Sequence, residues 1–156
     1  MKILRTTLLF TVCIGLFASF TINKSTKELK WLDWNTGYPL AKKQNKIILV
    51  DAYTDWCGWC KKMDRDTYTD GEVINLLNKD FVIIKFNPEL TDMEYELEGQ
   101  KLTGRELYTQ LTQGKSTGFP TTYFIHPNKK QIQITAGYLA PAEFKKILEQ
   151  TVQSMK

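Results

Sequence analysis

The residues best suited to chemistry are two cysteines, Cys57 and Cys60, in the segment WCGWCK at 56–61. They follow an apolar run that predicts a buried strand, and the pattern from Cys57 onward predicts the start of a helix. Unpaired N–H groups and the helix dipole at such a start stabilise a thiolate, which makes Cys57 the predicted attacking sulfur. Cys60 lies one turn further along and is predicted to resolve the mixed disulfide that Cys57 forms.

The same pair could instead form an inert disulfide or half of a zinc site. A structural zinc site needs four ligands, and His126 is the histidine that the sequence offers for it. The third cysteine, Cys13, lies in an apolar run near the N-terminus. The C-x-x-C spacing beside alternating strands and helices is typical of redox motifs. We therefore expect no metal and no separate cofactor, the Cys57–Cys60 disulfide being the redox centre.

Two carboxylates occupy positions from which they could move protons for the cysteines. Asp51 ends the apolar run 47–50, six residues before Cys57. Burial there would raise its pKa, which suits a proton acceptor for the resolving thiol. Asp64 comes seven residues after Cys57, and positions i, i+3 and i+7 share a helix face, so it is predicted to lie on the cysteine side. For each acid the alternative is a solvated carboxylate without a chemical role.

Composition and charge narrow the class of protein. The 156 residues suit about one domain. Hydrophobic residues make up 42% and charged residues 24%, values typical of globular proteins, which disfavours whole-chain disorder, collagen-like repeats and coiled coils. The net charge is +4, and Lys2 and Arg5 near the N-terminus supply two of these charges. No basic face stands out, so no nucleic-acid partner is expected.

The N-terminal residues have the pattern of an export signal. Lys2 and Arg5 precede the apolar run 8–20, and a cationic head before about 7–15 apolar residues is typical of secretory signals. The run is short for a membrane-spanning helix, which needs about 20 residues, and this favours a cleaved signal. The A-x-A pattern typical of a cleavage site does not precede Thr21, and this favours an uncleaved anchor. We predict a cleaved signal peptide or an N-terminal membrane anchor over 1–22, with a buried core helix as a third alternative. A linker at 23–28 and a domain at 29–156 follow.

Hydrophobic patterns predict the elements that position the cysteines. The apolar run 47–50 predicts a central strand covered on both faces. The acidic segment 89–98 predicts a solvated loop or helix face. Parallel units followed by a hairpin predict an α/β domain with a mixed central sheet and helices on both faces. The other predicted strands are 29–34, 81–86, 121–125 and 131–136, and the predicted helices are 38–45, 57–66, 71–79, 103–112 and one that Pro141 opens.

The segment DAYTDWCGWCK at 51–61 resembles the active-site segment of the thioredoxin superfamily. GFPT at 118–121 resembles the cis-proline loop of that family, and Gly137 with the helix after it fits the family's C-terminal end. The run from Trp56 to Val73 is more similar to the C-terminal, periplasmic domain of the membrane thiol:disulfide interchange protein and to small secreted relatives. The resemblance covers about residues 30–155 and implies the thioredoxin fold.

The resemblance also implies roles for individual residues. Pro120 is expected to be cis and to pack against the cysteines, and its loop to offer backbone hydrogen bonds to an extended substrate. Asp51 matches the buried aspartate of thioredoxins, and Asp64 matches a carboxylate of the interchange domain. Trp59 stands where thioredoxin has a proline. The expected substrate-binding residues are Trp56, Gly58, Trp59, Phe119, Pro120 and Thr121.

The implied function is that of a thiol–disulfide oxidoreductase acting outside the cytoplasm, in the periplasm or as a secreted protein. Its expected partners are protein disulfides and a redox partner protein, soluble or membrane-bound, and we expect a monomer. Gly58 and Trp59 supply no cation to stabilise the reduced pair, which favours a reductant over an oxidant. Two alternatives remain. One is an oxidase or isomerase with the same residues, and the other is a non-catalytic module that binds a partner through its exposed aromatic residues.

Overall fold

The computed structural model describes residues 28–115 and 117–155. The predicted signal or anchor at 1–22, and the linker except for Glu28, lie outside the described residues. No helix among the described residues is long and apolar enough to cross a membrane. The elements in chain order are α1 (Trp34–Gln44), β1 (Ile47–Ala52), α2 (Gly58–Asp66), α3 (Gly71–Asp80), β2 (Phe81–Phe86), β3 (Tyr95–Leu97), β4 (Gln100–Leu102), α4 (Gly104–Thr112), β5 (Thr121–Ile125), β6 (Ile132–Ala136) and α5 (Pro141–Ser154).

A four-stranded mixed sheet in the order β2-β1-β5-β6 forms the centre of the fold. β1 runs parallel to β2 and antiparallel to β5, which pairs antiparallel with β6. Every residue of β1 is buried, as predicted for a strand covered on both faces. In register, Asp51 of β1 lies between Lys85 of β2 and Thr122 of β5. The sheet therefore sets three polar residues side by side near the end of its central strand.

Each face of the sheet packs against its own set of helices. Because side chains alternate along a strand, Leu49 of β1 packs with residues of α2, α3 and α5, whereas Ile48 packs with residues of α1 and α4. Phe144 of α5 is fully buried in the first cluster, and Leu107 of α4 is fully buried in the second. The predicted α/β fold with helices on both faces is confirmed.

The first element differs from its prediction. The segment predicted as a strand at 29–34 contributes one bridge, from Leu32 to Ile84, and helix α1 begins at Trp34, earlier than the predicted 38–45. Asp33 caps this helix by accepting a hydrogen bond from Thr36 N–H. A Cβ at Gly37 would come within 2.5 Å of the buried Ile84 side chain, so any other residue there would force that side chain to shift. A glycine and a proline that suggest a helix boundary thus lie inside α1, where the helix approaches β2 closely.

The acidic segment 89–98 is also more structured than predicted. Its first half is an exposed loop, but Tyr95–Leu97 pairs with Gln100–Leu102 as a short hairpin. Glu98 and Gly99 form the turn with positive φ values of 50° and 82°, which suits a two-residue hairpin. Tyr95 anchors the hairpin because its buried ring packs edge-on against Phe86 at 5.2 Å.

Candidate active site

The two cysteines form a disulfide at the N-terminus of α2. Cys57 is the N-cap residue, and the backbone N–H of Cys60 donates to Cys57 Sγ at 3.0 Å. Cys57 N–H in turn donates to Thr54 O at 3.1 Å, which ties the motif to the end of β1. The predicted position of Cys57 at a helix start is confirmed. In the reduced protein, an N–H directed at this sulfur would stabilise its thiolate.

Two exposed aromatic side chains flank the disulfide, whose two cysteines are themselves nearly buried. Trp56 is 68% exposed and Trp59 is 60% exposed, although both are large and apolar. The Trp56 ring lies edge-on to Phe119 at 6.0 Å, and the Trp59 ring lies 5.6 Å from Tyr138. We call these four residues the aromatic rim. Gly58 between the tryptophans is exposed, with space for a Cβ, so packing does not require a glycine there.

The loop before β5 carries the expected cis peptide bond, between Phe119 and Pro120. Pro120 is buried, and its carbonyl oxygen accepts a hydrogen bond from Gly137 N–H at 2.8 Å. Thr121 differs from its expected role in substrate binding. Its side chain is fully buried, and its hydroxyl donates to Gly118 O at 2.9 Å, so it holds the loop in shape and does not face a substrate.

Asp51 and Asp64 meet at one lysine. Lys85 Nζ lies 2.5 Å from Asp51 Oδ2 and also pairs with Asp64 Oδ1. Asp51 is 2% exposed, whereas the Asp64 side chain is 47% exposed, so the three residues connect the interior to solvent. Asp64 follows Cys60 by four residues on α2, which places it one turn away on the same face. We call Asp51, Lys85 and Asp64 the acid–lysine triad.

Burial and charge oppose each other within the triad. Burial raises the pKa of Asp51 above its ordinary value, although the Lys85 charge and hydrogen bond pull it back down. Burial alone would lower the pKa of Lys85, but attraction to Asp51 and Asp64 outweighs that and leaves it raised. The net result is a protonated lysine beside a buried carboxyl group that accepts a proton more readily than an exposed one.

Lys85 is the functional-site residue that sequence reasoning missed. Its ammonium also lies over three aromatic rings, at 4.8 Å from Trp31, 5.2 Å from Tyr53 and 5.1 Å from Tyr68. Such contacts stabilise a partly desolvated cation. The available signal was a single charge inside the apolar strand FVIIKF at 81–86, which is unusual unless the charge has a partner.

His126 lies away from the cysteines, just past the end of β5. Its Nδ1 accepts a hydrogen bond from Asn128 N–H at 3.0 Å, which agrees with the structural role predicted for it. No group of three or more His, Cys, Asp and Glu side chains that could hold a metal ion occurs within residues 28–115 and 117–155.

Fold and site together define the class: a thioredoxin-fold protein with a C-x-x-C disulfide at the start of a helix. The chain belongs to the thioredoxin-like DsbH family, described as a protein of unknown function, DUF255, which matches residues 17–155. The predicted membership of the thioredoxin superfamily is thereby confirmed.

Curated relatives match the chain over part of their length. Spermatogenesis-associated protein 20 of Homo sapiens is 23% identical over 70% of this chain and 13% of its own. The thiol:disulfide interchange protein DsbD of Tatumella citrea is 28% identical over 67% of this chain and 16% of its own. Protein disulfide-isomerase of Hordeum vulgare is 26% identical over 63% of this chain and 16% of its own. The chain thus spans less than a fifth of the length of these relatives.

Solved structures of low sequence identity share the fold. A DsbH oxidoreductase superposes with a TM-score of 0.57 at 21% identity, covering 81% of this chain and 85% of the other. A thioredoxin from Thermus thermophilus superposes with a TM-score of 0.57 at 22% identity, covering 79% of this chain and 86% of the other. The reduced C-terminal domain of DsbD from Neisseria meningitidis superposes with a TM-score of 0.53 at 17% identity, covering 73% of this chain and 89% of the other.

Proposed function

We propose that this protein reduces disulfides of extracytoplasmic proteins through a Cys57/Cys60 dithiol. The observation that carries the proposal is the arrangement of the pair. Cys57 caps α2, the Cys60 N–H points at its sulfur, and a disulfide joins the two residues. A pair that closes within one helical turn can pass between dithiol and disulfide without a change of fold.

The reaction has two exchange steps. Cys57 thiolate attacks a substrate disulfide, forms a mixed disulfide and releases one substrate thiolate, which takes a proton from water. Cys60 then loses its proton and attacks Cys57 Sγ, which forms the Cys57–Cys60 disulfide and releases the second substrate thiolate, which also takes a proton from water. Two electrons pass from the protein to the substrate, and the proton that Cys60 loses leaves through a base of the protein. A dithiol reductant, by proposal a redox partner protein, restores Cys57 and Cys60 by the reverse exchange.

Asp51 takes the proton that Cys60 loses. Its raised pKa suits it to this because a carboxyl group whose charged form is disfavoured accepts a proton at a higher pH. Lys85 joins Asp51 to the exposed Asp64, and this link gives the buried proton a route to water. No cofactor is required in this scheme, since the disulfide carries the electrons.

Substrate binds across the aromatic rim. Trp56 and Trp59 flank the disulfide, and large exposed aromatic residues are the side chains most often used to anchor a partner. Phe119 extends this surface towards the loop before β5, whose backbone offers hydrogen bonds to an extended peptide. Exposed aromatic side chains beside the disulfide suit a protein substrate, in keeping with the names of the interchange-protein and disulfide-isomerase relatives.

The reductive direction and the extracytoplasmic location are supported by sequence. Gly58 and Trp59 place no cation between the cysteines, so the reduced pair lacks the stabilisation that makes a strong oxidant. The cationic and apolar pattern of residues 1–22 supports export by a signal peptide or attachment by an anchor.

An insulin-reduction assay with dithiothreitol tests the activity. Wild type should accelerate insulin reduction, whereas Cys57→Ser should fall to the uncatalysed rate. Equilibration with glutathione tests the direction. A reduction potential near the ~−270 mV of thioredoxin supports a reductant, whereas one near ~−120 mV would make the protein an oxidase.

A further inference from the structure

We propose that Tyr68 is a positioning residue for Asp51: with Thr122, its hydroxyl holds the carboxylate oxygen that Lys85 does not bind. This inference rests on the proposed role of Asp51 as proton acceptor, and it extends the acid–lysine triad by two neutral hydroxyl groups.

Asp51, Lys85 and Thr122 lie on one face of the sheet. Residues two positions apart on a strand point to the same face of the sheet. Leu49, Ile83 and Phe124 stand two positions from Asp51, Lys85 and Thr122 respectively, and all three belong to the core cluster covered by α2, α3 and α5. Tyr68 belongs to that same cluster. The tyrosine therefore packs onto the sheet face from which the Asp51 side chain projects.

Packing fixes the direction of the Tyr68 side chain. Its ring makes edge-on contacts with Trp31 at 4.8 Å and with Phe144 at 5.7 Å, and the residue is 5% exposed. The backbone N–H of Tyr68 donates to Met63 O at 3.1 Å, which ties it to the last turn of α2. Because Trp31 and Phe144 hold the ring and Lys85 Nζ lies 5.1 Å from its centre, the Tyr68 hydroxyl is held beside the acid–lysine triad.

Three polar atoms in this cluster are buried without a hydrogen-bond partner: Asp51 Oδ1, Tyr68 OH and Thr122 Oγ1. Buried polar groups are almost always hydrogen-bonded to protein or to an ordered water. A carboxylate only accepts, a phenol donates one hydrogen, and a threonine hydroxyl does both. The three groups are complementary, so Tyr68 O–H donates to Asp51 and accepts from Thr122, directly or through one shared water.

The electrostatics agree with this geometry. The Tyr68 hydroxyl lies near enough to lower the pKa of Asp51, against the larger upward effect of burial. Burial, reinforced by Asp51, raises the pKa of Tyr68 far above its usual range. The hydroxyl thus stays protonated at every working pH and remains a donor. The two oxygens of Asp51 then have separate partners, Lys85 on Oδ2 and Tyr68 on Oδ1.

Tyr68→Phe removes the hydroxyl and keeps the ring. The carboxylate loses a donor, so the pKa of Asp51 should rise by about one unit, a tenfold change in its proton affinity. The charged groups that face Asp51 remain in place, namely Lys85 of β2 and Asp64 of α2, and Tyr53 still contacts Lys85.

The test is a ¹³C NMR titration of the Asp51 carboxyl carbon in the oxidised full chain, assigned with Asp51→Asn. Tyr68→Phe should shift the titration upward, and Thr122→Val should shift it in the same direction. Tyr95→Phe, a buried tyrosine in the other core cluster, should leave it unchanged. The pH profile of insulin reduction should move by the same amount as the titration.

An unchanged Asp51 titration in both Tyr68→Phe and Thr122→Val would overturn the inference, as would a loss of stability without a shift. If Tyr68→Phe does not fold, Thr122→Val decides. The titration needs no activity. A shifted titration in a protein that reduces no disulfide would therefore contradict the proposed function and leave the role of Tyr68 standing.

Discussion

The two ends of the central sheet each bury a titratable side chain and surround it differently. Asp51, near the end of β1, has Oδ2 on Lys85, and the proposed partners of Oδ1 are the neutral hydroxyl groups of Tyr68 and Thr122. His126 follows β5, which runs antiparallel to β1, so it lies at the opposite end, where its Nδ1 accepts from Asn128 N–H. Four buried side-chain atoms lack a partner within the part of the chain that the structure describes, and they belong to Asp51, Thr54, Tyr68 and Thr122.

Under the proposed function, this contrast separates a reactive site from a structural one. His126 accepts a hydrogen bond from the backbone two residues further on, which ties down the turn after β5 and is a structural role. A buried acid held by a lysine and by neutral hydroxyl groups, with a pKa that burial raises, is poised to take a proton. The exposed tryptophans lie at the same end of the sheet as Asp51. Four sets of variants test this difference between the two ends.

Lys85→Met should have the largest effect on stability. It leaves Asp51 buried without a countercharge, which costs about 3 kcal/mol at pH 7, the low end of the range because Lys85 is one-fifth exposed. The loss should shrink near pH 3, where Asp51 is protonated in the folded and unfolded states alike. Urea denaturation at both pH values measures it, and Asp51→Asn/Lys85→Met is the control that should recover most of the loss. Equal losses at both pH values would show that the lysine contributes packing alone.

Asp51→Asn should slow disulfide exchange and stabilise the fold. The resolving thiol loses its base, so reduction of a model disulfide should slow about 100-fold. Because the folded pKa of Asp51 is raised, the native state binds more protons than the unfolded state, and stability falls as pH rises from about 4 through the folded pKa. The variant should therefore be more stable than wild type at pH 7 and equal to it near pH 3. An unchanged rate together with unchanged stability would remove Asp51 from the mechanism.

Trp59→Ala and Trp56→Ala should weaken substrate binding without affecting the fold. Each is more than half exposed, and loss of an aromatic anchor should raise KM for insulin about tenfold, with a change in the free energy of unfolding within about 0.5 kcal/mol. Met93→Ala, which removes an exposed apolar side chain from the acidic loop, is the matched control. A raised KM in the control as well would point to general loss of apolar surface.

His126 variants should have the smallest effect. Burial and, more weakly, Lys129 lower the pKa of His126, so the native state binds fewer protons and stability falls as pH drops through about 6.5. This slope has the opposite sign to that of Asp51. His126→Leu should lose about 1 kcal/mol at pH 7.5 with its hydrogen bond, and His126→Asn, which keeps an acceptor, should lose less. Both should reduce insulin at the wild-type rate, and a slower rate would contradict a purely structural role.

Local signals in the sequence were sufficient for the motif and the main strands. The Cys57 cap, the burial of Asp51 and the bounds of β2 follow from patterns that neighbouring residues carry. Lys85 was missed because its role depends on the register between β1 and β2, whose paired residues lie 34 positions apart. The hairpin at 95–102 was missed because its strands are three residues long, too short to show alternation. The local propensity of Gly37 and Pro39 favours a helix boundary, yet both lie inside α1. Contacts with β2, which lies far along the chain, therefore set the start of this helix.

The most direct test of the account traps the mixed disulfide. Cys60→Ala, reduced and then mixed with a protein disulfide such as oxidised insulin, lacks the thiol that would resolve the first exchange. Mass spectrometry of the tryptic peptide should show the substrate peptide attached at Cys57, while Cys57→Ala should trap little. No adduct on Cys57, or an equal adduct on Cys60 in the reciprocal variant, would contradict the assignment of Cys57 as the attacking sulfur.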